Sequence, residues 1–257
     1  DEAPDAVELP KRGELVVNRV AFTYASGSSP ALEEVDLVVR DGERIALVGP
    51  TGAGKSTLAK LMARLYDPSQ GTVTYGGMNL RRATHASLRQ RIVVVPQEGF
   101  LFNGTIRDNV RLARIESSDA DVEAALQRLG VFAHFDRLPE GLDTEVRERG
   151  TRLSAGERQL VALGRAALVD PAVLVLDEAT SNLDPGTEAE VEAALEKLMQ
   201  GRTTIVVAHR LTTVQRADRI VVVDRARIAE VGTHAELVAL GGKYAALARA
   251  WEKSHAV

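Results

Sequence analysis

The chain has 257 residues, 45% of them apolar and 26% charged, and a net charge of −4: enough for one large lobe or two small ones, and without the basic excess of a nucleic-acid binder. It contains no cysteine, which excludes a disulfide framework and a thiolate metal site. Its longest apolar runs, such as Ile92 to Val95 and Ile205 to Ala208, are strand length and far short of the ~20 residues of a transmembrane helix, and no secretory signal heads the chain.

In chain order, the Pro- and acid-rich stretch 1–10 reads as a linker, and the body starts at residue 11. Leu15 to Tyr24 is strand-like. The apolar run Ile45 to Val48 leads into Gly49-Pro50-Thr51-Gly52-Ala53-Gly54-Lys55-Ser56, which fits G-x-x-x-x-G-K-[ST] and opens a helix-like segment from Lys55 to Leu65. Strand, glycine-rich loop and helix in this order make a phosphate-binding loop. The glycines let backbone N–H groups point at phosphate oxygens, Lys55 brings a cation to the β- and γ-phosphates, and the Ser56 hydroxyl suits Mg²⁺; Thr57 extends the binding stretch.

Ile92 to Pro96 is the next strand-like run, followed by Gln97. Between about 105 and 168 the strand signal vanishes, and Val122, Ala125, Leu126 and Leu129 recur at helical spacing, so a mostly helical subdomain is expected there, inserted into an α/β core. Val173 to Leu176 suits a buried parallel strand, with Asp177 and Glu178 at its C-terminal end, where open α/β sheets bind ligands. Asp177 is placed to hold Mg²⁺ and Glu178 to act as general base on the water that attacks the γ-phosphate; the rival reading is a helix N-terminus that favours acids. Helical spacing returns at Val191, Ala194, Leu195 and Leu198 and at Tyr244, Leu247, Ala248 and Trp251. Thr204 to Ala208 and Ile220 to Val223 are strand-like, and Thr233 with Glu236 has the spacing of a capping box for a helix through Leu240.

With these motifs in order, Leu153-Ser154-Ala155-Gly156-Glu157, ahead of a helix-like segment from Arg158 to Leu168, resembles the signature LSGGQ of the nucleotide-binding domain of ATP-binding cassette transporters. In isolation the same five residues read as an ordinary helix start. The resemblance runs over residues 11–257 and implies a P-loop NTPase fold of α/β class: a mixed or parallel sheet, an N-terminal antiparallel β subdomain and an inserted helical subdomain. It implies Mg²⁺-dependent ATP hydrolysis, with ATP between two cassettes meeting head to tail. Tyr24 matches the aromatic on which adenine stacks, with a core tyrosine as the rival reading. Gln97 resembles the glutamine that touches Mg²⁺ and the attacking water, and His209 the histidine that contacts the γ-phosphate. Lys55, Ser56, Gln97, Asp177, Glu178 and His209 of one copy would face Ser154, Gly156 and Asp184 of the other.

Phe102 to Asn109 and Thr144 to Gly150 resemble segments of the exporter branch, the second being a loop that contacts the membrane domain. The implied partners are therefore a second cassette, identical or different, and a transmembrane domain at the cytoplasmic side of the inner membrane, with no nucleic acid. The alternative is a soluble, non-transport ATPase of the same type. Ala155 in place of glycine, Glu157 in place of glutamine, Arg147 in place of glycine and Asn182 in place of alanine depart from the pattern. Ala155 is expected to narrow backbone freedom beside the γ-phosphate. The transported substrate, whether drug, lipid, peptide or siderophore, is open.

Overall fold

A computed structural model describes all residues except 1, 3, 4, 26, 28, 97, 98, 147–151, 178–184, 209 and 255–257. The chain divides into two compact units, one formed by Asp1–Ile92, Ala172–Asp177 and Arg202–Val257, the other by Val93–Pro171 and Glu178–Gly201.

The first unit carries two sheets. Strands β1 (Leu15–Phe22), β2 (Leu32–Val39), β4 (Gln70–Tyr75) and β5 (Met78–Asn79) form an antiparallel sheet in the order β2-β1-β4-β5. In β2, Leu32, Val35, Leu37 and Val39 are buried while Glu33, Glu34 and Asp36 alternate outward, the pattern of a sheet with one wet face. The second sheet has the order β10-β9-β3-β8-β7, from β3 (Arg44–Val48), β7 (Val173–Asp177), β8 (Thr203–Val207), β9 (Arg219–Asp224) and β10 (Arg227–Gly232). β3 pairs in parallel with β8 and β9, and β7 with β8. These strands read as continuous apolar runs because they are buried on both faces: β8 is buried throughout, and β3 and β7 at four of five positions. Helix α1 (Lys55–Met62) lies against β8, and α2 (His85–Arg91) follows later in the chain. The stretch read as a linker is strapped down at its end. Val7 exchanges backbone hydrogen bonds with Arg82 and Thr84, and Leu9, 3% exposed, donates its N–H to Ser87 Oγ.

β6 (Ile92–Val95) begins on the last residue of that segment and continues into the second unit, whose described part is otherwise helical: α3 (Ile106–Arg111), α4 (Asp119–Leu129), α5 (Phe132–Asp136), α6 (Ala155–Val169) and α7 (Pro185–Met199). α6 packs against α3, α4 and α7. α4 buries the four residues picked out by period, Val122, Ala125, Leu126 and Leu129, and α7 buries Val191, Ala194, Leu195 and Leu198. Back in the first unit, α8 (Leu211–Gln215) precedes β9, while α9 (His234–Leu240) and α10 (Lys243–Ser254) close the chain. α9 starts on the Thr233–Glu236 capping box. No helix among the described residues is long and apolar enough to cross a membrane.

Asn109, 1% exposed, organises the segment between β6 and α3. Its amide donates to the carbonyls of Phe102 and Thr105 at 2.9 Å each, and its Oδ1 accepts from Phe102 N–H and Arg165 Nη2. Arg165 also donates to the backbone carbonyls of Phe100 and Asn109, and burial pushes its guanidinium below its usual value. Removing this amide strands several buried groups at once. Asn109→Ala is expected to lower the unfolding free energy by about 2–4 kcal/mol, read from urea denaturation at constant m-value.

The helix starts also set an acid dependence. Backbone N–H groups of Thr105, Ser118 and Thr233 hold the carboxyls of Asp108, Asp121 and Glu236 below the usual carboxylate range, with help from the same residues' hydroxyls. A folded-state pKa below the unfolded one adds stability that is full above the ordinary carboxylate value and is lost as pH falls through the folded value. Asp108→Asn is therefore expected to reduce stability at neutral pH and to flatten its decline between about pH 5 and pH 2, measured by thermal melts across that range.

Candidate nucleotide site

The phosphate loop leaves the C-terminal end of β3 and turns into α1 on Gly54. Gly49, Gly52 and Gly54 all have positive φ, at 144°, 78° and 111°. Two of them also have no room for a side chain. A Cβ on Gly49 would stand 2.0 Å from the Val223 carbonyl oxygen, and one on Gly54 would stand 2.6 Å from the Ala31 oxygen and 2.8 Å from Leu32 Cδ2. β9 and the start of β2 thus fix the loop's shape, and only glycine fits where they press.

Gly54 is the N-cap of α1 and offers no side-chain cap, so the first-turn N–H groups face outward as an anion site with the positive end of the helix dipole behind them. Lys55 is 5% exposed, and two of its three N–H donors go to the carbonyls of Gly49 and Pro50, each at 2.9 Å. The ammonium is folded back across the loop it starts from. Ser56, partly exposed, sits in the same helical turn.

Asp177 ends β7 and is partly exposed, whereas the four residues before it are buried. The order β3-β8-β7 puts it two strand spacings, about 10 Å, from the strand that delivers the loop, at the same C-terminal edge of a parallel sheet. Ser56 and Asp177 are hard oxygen donors of the kind Mg²⁺ prefers.

Beside the loop stands an aromatic corner. The Tyr24 hydroxyl is 3.0 Å from Thr57 Oγ1, and its ring lies 4.8 Å from Phe22 and 5.5 Å from Tyr66, nearly perpendicular to both. Tyr24 is only partly buried, which leaves part of its side chain accessible beside the loop. Tyr66 was not among the residues singled out from sequence; one aromatic just past a helix end carries no periodic or motif signal.

In the second unit, Ser154 is the N-cap of α6. Its hydroxyl accepts from Glu157 N–H at 3.1 Å, and the Glu157 carboxylate accepts from Ser154 N–H at 2.7 Å. Helix start and signature are therefore one structure. Ala155 is exposed and is the first residue of a regular helix, where alanine is at least as suitable as glycine, so it does not narrow the backbone in the way the sequence suggested. Gly156 has no such latitude, since a Cβ there would stand 2.1 Å from Thr187 Cγ2 on α7. Glu157 also lies 3.4 Å from Nε2 of His134, whose Nδ1 is 2.6 Å from Glu190 on α7. Gln159 of α6, 1% exposed, donates to the Pro96 carbonyl at 3.3 Å. Gln97, Glu178, Asp184 and His209, together with Arg147 and Asn182, lie outside the described residues. Three of them directly follow described strand ends or the residue beyond, namely Pro96, Asp177 and Ala208.

The loop's dependence on its glycines is testable. Gly54→Ala forces an L-residue to φ 111° and into the Ala31 carbonyl, and should weaken ATP binding about 5- to 100-fold by calorimetry, the equivalent of about 1–3 kcal/mol of backbone strain.

The family model described as ABC transporter matches residues 32–181. Among curated proteins, the chain is 46% identical over 247 residues to an ATP-dependent lipid A-core flippase of Cupriavidus pinatubonensis, covering 95% of this chain and 42% of that protein. It is 46% identical over 250 residues to a beta-(1-->2)glucan export ATP-binding/permease protein, NdvA, of Bradyrhizobium diazoefficiens, covering 97% and 41%. An uncharacterized ABC transporter ATP-binding protein of Bacillus subtilis, YfiC, is 43% identical over 96% of this chain and 41% of its own length. The chain thus spans about two fifths of the length of the curated relatives it matches. A solved structure of a bacterial Atm1-family ABC exporter with ATP bound superposes with a TM-score of 0.89 at 39% identity, over 99% of this chain and 44% of that one. The α/β architecture, the phosphate loop and these matches agree: the chain belongs to the ABC transporter family, as an ATP-binding domain similar to those of proteins named for export.

Proposed function

We propose that this chain binds Mg·ATP, pairs head to tail with a second cassette, and hydrolyses ATP to drive export through a membrane-spanning part. The observation that carries the reading is the uncapped first turn of α1 at the C-terminal edge of a parallel sheet, with Lys55 folded over it. That geometry suits an anionic phosphate chain.

The residues divide the work by position. Backbone N–H groups of the loop from Gly49 to Ser56, with Thr57, hold the phosphate chain, and Lys55 swings from its carbonyls to the β- and γ-oxygens. Tyr24 stacks on the base. Ser56, Asp177 and Gln97 would hold Mg²⁺, which when bound neutralises the charge that builds on the phosphate oxygens. Glu178 orients and deprotonates the attacking water, and His209 donates to the γ-phosphate. Ser154 and Gly156 of the second copy close the site from the opposite side, with Asp184 ordering the contact between copies. Phosphoryl transfer has a loose transition state, so this positioning and neutralisation supply most of the rate.

The relatives' names supply the transport half of the reading. Two of them are named for export or flipping and are more than twice as long as this chain. A transmembrane partner and a place at the cytoplasmic face of the inner membrane follow for this chain on that likeness. The second unit fits this role, with Phe100 and Phe102 55% and 56% exposed and ring-to-ring at 5.0 Å, a surface suited to an apolar partner.

Glu178→Gln separates binding from chemistry. It is expected to leave ATP affinity intact, to cut phosphate release by a factor of about 100 or more, and to accumulate an ATP-bound dimer visible by light scattering. A wild-type rate per chain that rises with protein concentration belongs to the same expectation. A Glu178→Gln chain that stays monomeric in excess Mg·ATP overturns the head-to-tail site.

A further inference from the structure

We infer that Tyr66 is a positioning residue for the nucleobase: it fixes the plane of the Tyr24 ring from the far end of the helix that begins at the phosphate loop. The inference rests on the reading of Tyr24 as the base-stacking aromatic and adds a residue to it.

Tyr24 follows the end of β1, in a turn where Gly27 N–H donates to its carbonyl at 2.9 Å. Its hydroxyl is held at 3.0 Å by Thr57 Oγ1, in the first turn of α1. That bond fixes where the side chain points but not how the ring is turned, because the phenol oxygen lies on the axis about which the ring rotates. The plane of the ring is what a stacked base responds to, and it is set by whatever touches the ring's edges and faces. Phe22 at 4.8 Å and Tyr66 at 5.5 Å do so, at interplanar angles of 86° and 85°. Phe22 and Tyr66 also touch each other, at 5.5 Å, so the three rings close a triangle.

Phe22 is a core residue, 7% exposed, and would be present for packing alone. Tyr66 is 44% exposed, so it is no core residue, and the ring contacts to Phe22 and Tyr24 are what ties its side chain to the aromatic corner. It is held in place there. α1 ends at Met62, Arg64 takes the left-handed conformation at φ 52°, and Leu65 N–H returns to the Lys60 carbonyl at 2.9 Å. The Arg64 guanidinium anchors the turn by donating to the carbonyls of Ala83 and Arg81, each at 3.0 Å. The helix therefore grips Tyr24 at both ends, by the hydroxyl from its first turn and by the ring from beyond its last. A preorganised ring face spends less of the stacking energy on being ordered when the base arrives.

Calorimetric affinities for Mg·ATP and for magnesium tripolyphosphate, which shares the phosphates but has no base, test this in the 257-residue chain. Tyr66→Leu is expected to weaken ATP about two- to tenfold, the size of one lost ring contact, with tripolyphosphate affinity unchanged, and Tyr66→Phe to keep both. Equal loss for the two ligands in Tyr66→Leu, or no loss for either, overturns the inference, the first outcome meaning that Tyr66 only supports the fold. Tyr24→Ala tells the two readings apart. If it weakens ATP alone while Tyr66→Leu weakens neither ligand, base stacking stands and Tyr66 falls; if Tyr24→Ala leaves the ratio of affinities unchanged, base stacking itself is wrong and takes the role of Tyr66 with it.

Discussion

A helix with its first turn uncapped is a destabilising feature unless something fills it, and the arrangement around α1 exists to keep that turn open. Five other described helices are capped by hydroxyls: Thr84, Thr105, Ser118, Ser154 and Thr233 each accept an N–H at the start of α2, α3, α4, α6 and α9, while the short helices α5 and α8 start on Val131 and Arg210 without a side-chain cap. α1 starts instead on Gly54, pressed against the Ala31 carbonyl and Leu32, while the other end of the loop is pressed at Gly49 against Val223. The antiparallel sheet bears on the loop through the start of β2, and the parallel sheet bears on it through β9. Both sheets of the first unit thus contribute to one backbone shape, and the shape is what a phosphate chain reads.

Charge placement follows from the same edge. Lys55 is almost fully buried yet keeps its ammonium on the carbonyls of Gly49 and Pro50, bonds that a phosphate oxygen can replace without moving the backbone. Asp177 stands two strands away, partly exposed at the end of a buried strand, so a carboxylate is available without the cost of burying it. Lys55 at the start of α1 and Asp177 at the end of β7, two strands from β3, belong to the same C-terminal sheet edge, and that edge is where the proposed Mg²⁺ and phosphates belong. Tyr24 completes the row, joined to α1 through Thr57.

What the sequence made legible was whatever depends on local period or on glycine. β7 and β8 read as apolar runs, and α4 and α7 read from four residues each, because burial of one face imposes spacing. The loop read from its glycines because the backbone there excludes side chains. Boundaries were less legible. The helix expected from Lys55 to Leu65 ends at Met62, since Arg64 turns left-handed under a long-range anchor to Ala83 and Arg81 that no local pattern encodes. The strand expected through Tyr24 ends at Phe22. Residues 1–10 read as a linker by composition, yet Val7 and Leu9 are tied to the region of 82–87, a contact between distant parts of the chain. Tyr66 and His134 were invisible for the same reason: each matters through what tertiary structure brings next to it. The assignments of Gln97, Glu178, Asp184 and His209, outside the described residues, rest on motif order alone.

The departures from the family's signature become intelligible once Ser154 is seen as a cap. A capping box needs a carboxylate or amide at its third helical position, and Glu157 supplies it as well as glutamine would. His134 gives that carboxylate a polar neighbour on its other side, and Glu190 gives His134 one in turn. Ala155 sits where a helix asks for a helix former, and Gly156 is retained where Thr187 leaves no space. Capping does not compete with the role proposed for Ser154 opposite a partner's nucleotide. A hydroxyl has two lone pairs and one hydrogen; the Glu157 N–H uses the acceptor side, and the O–H hydrogen can still be given to an anionic oxygen. The cap therefore fixes the serine's direction without spending the donor that a γ-phosphate would take, and a helix that must present its N-terminus to another molecule gains by having that direction settled in advance.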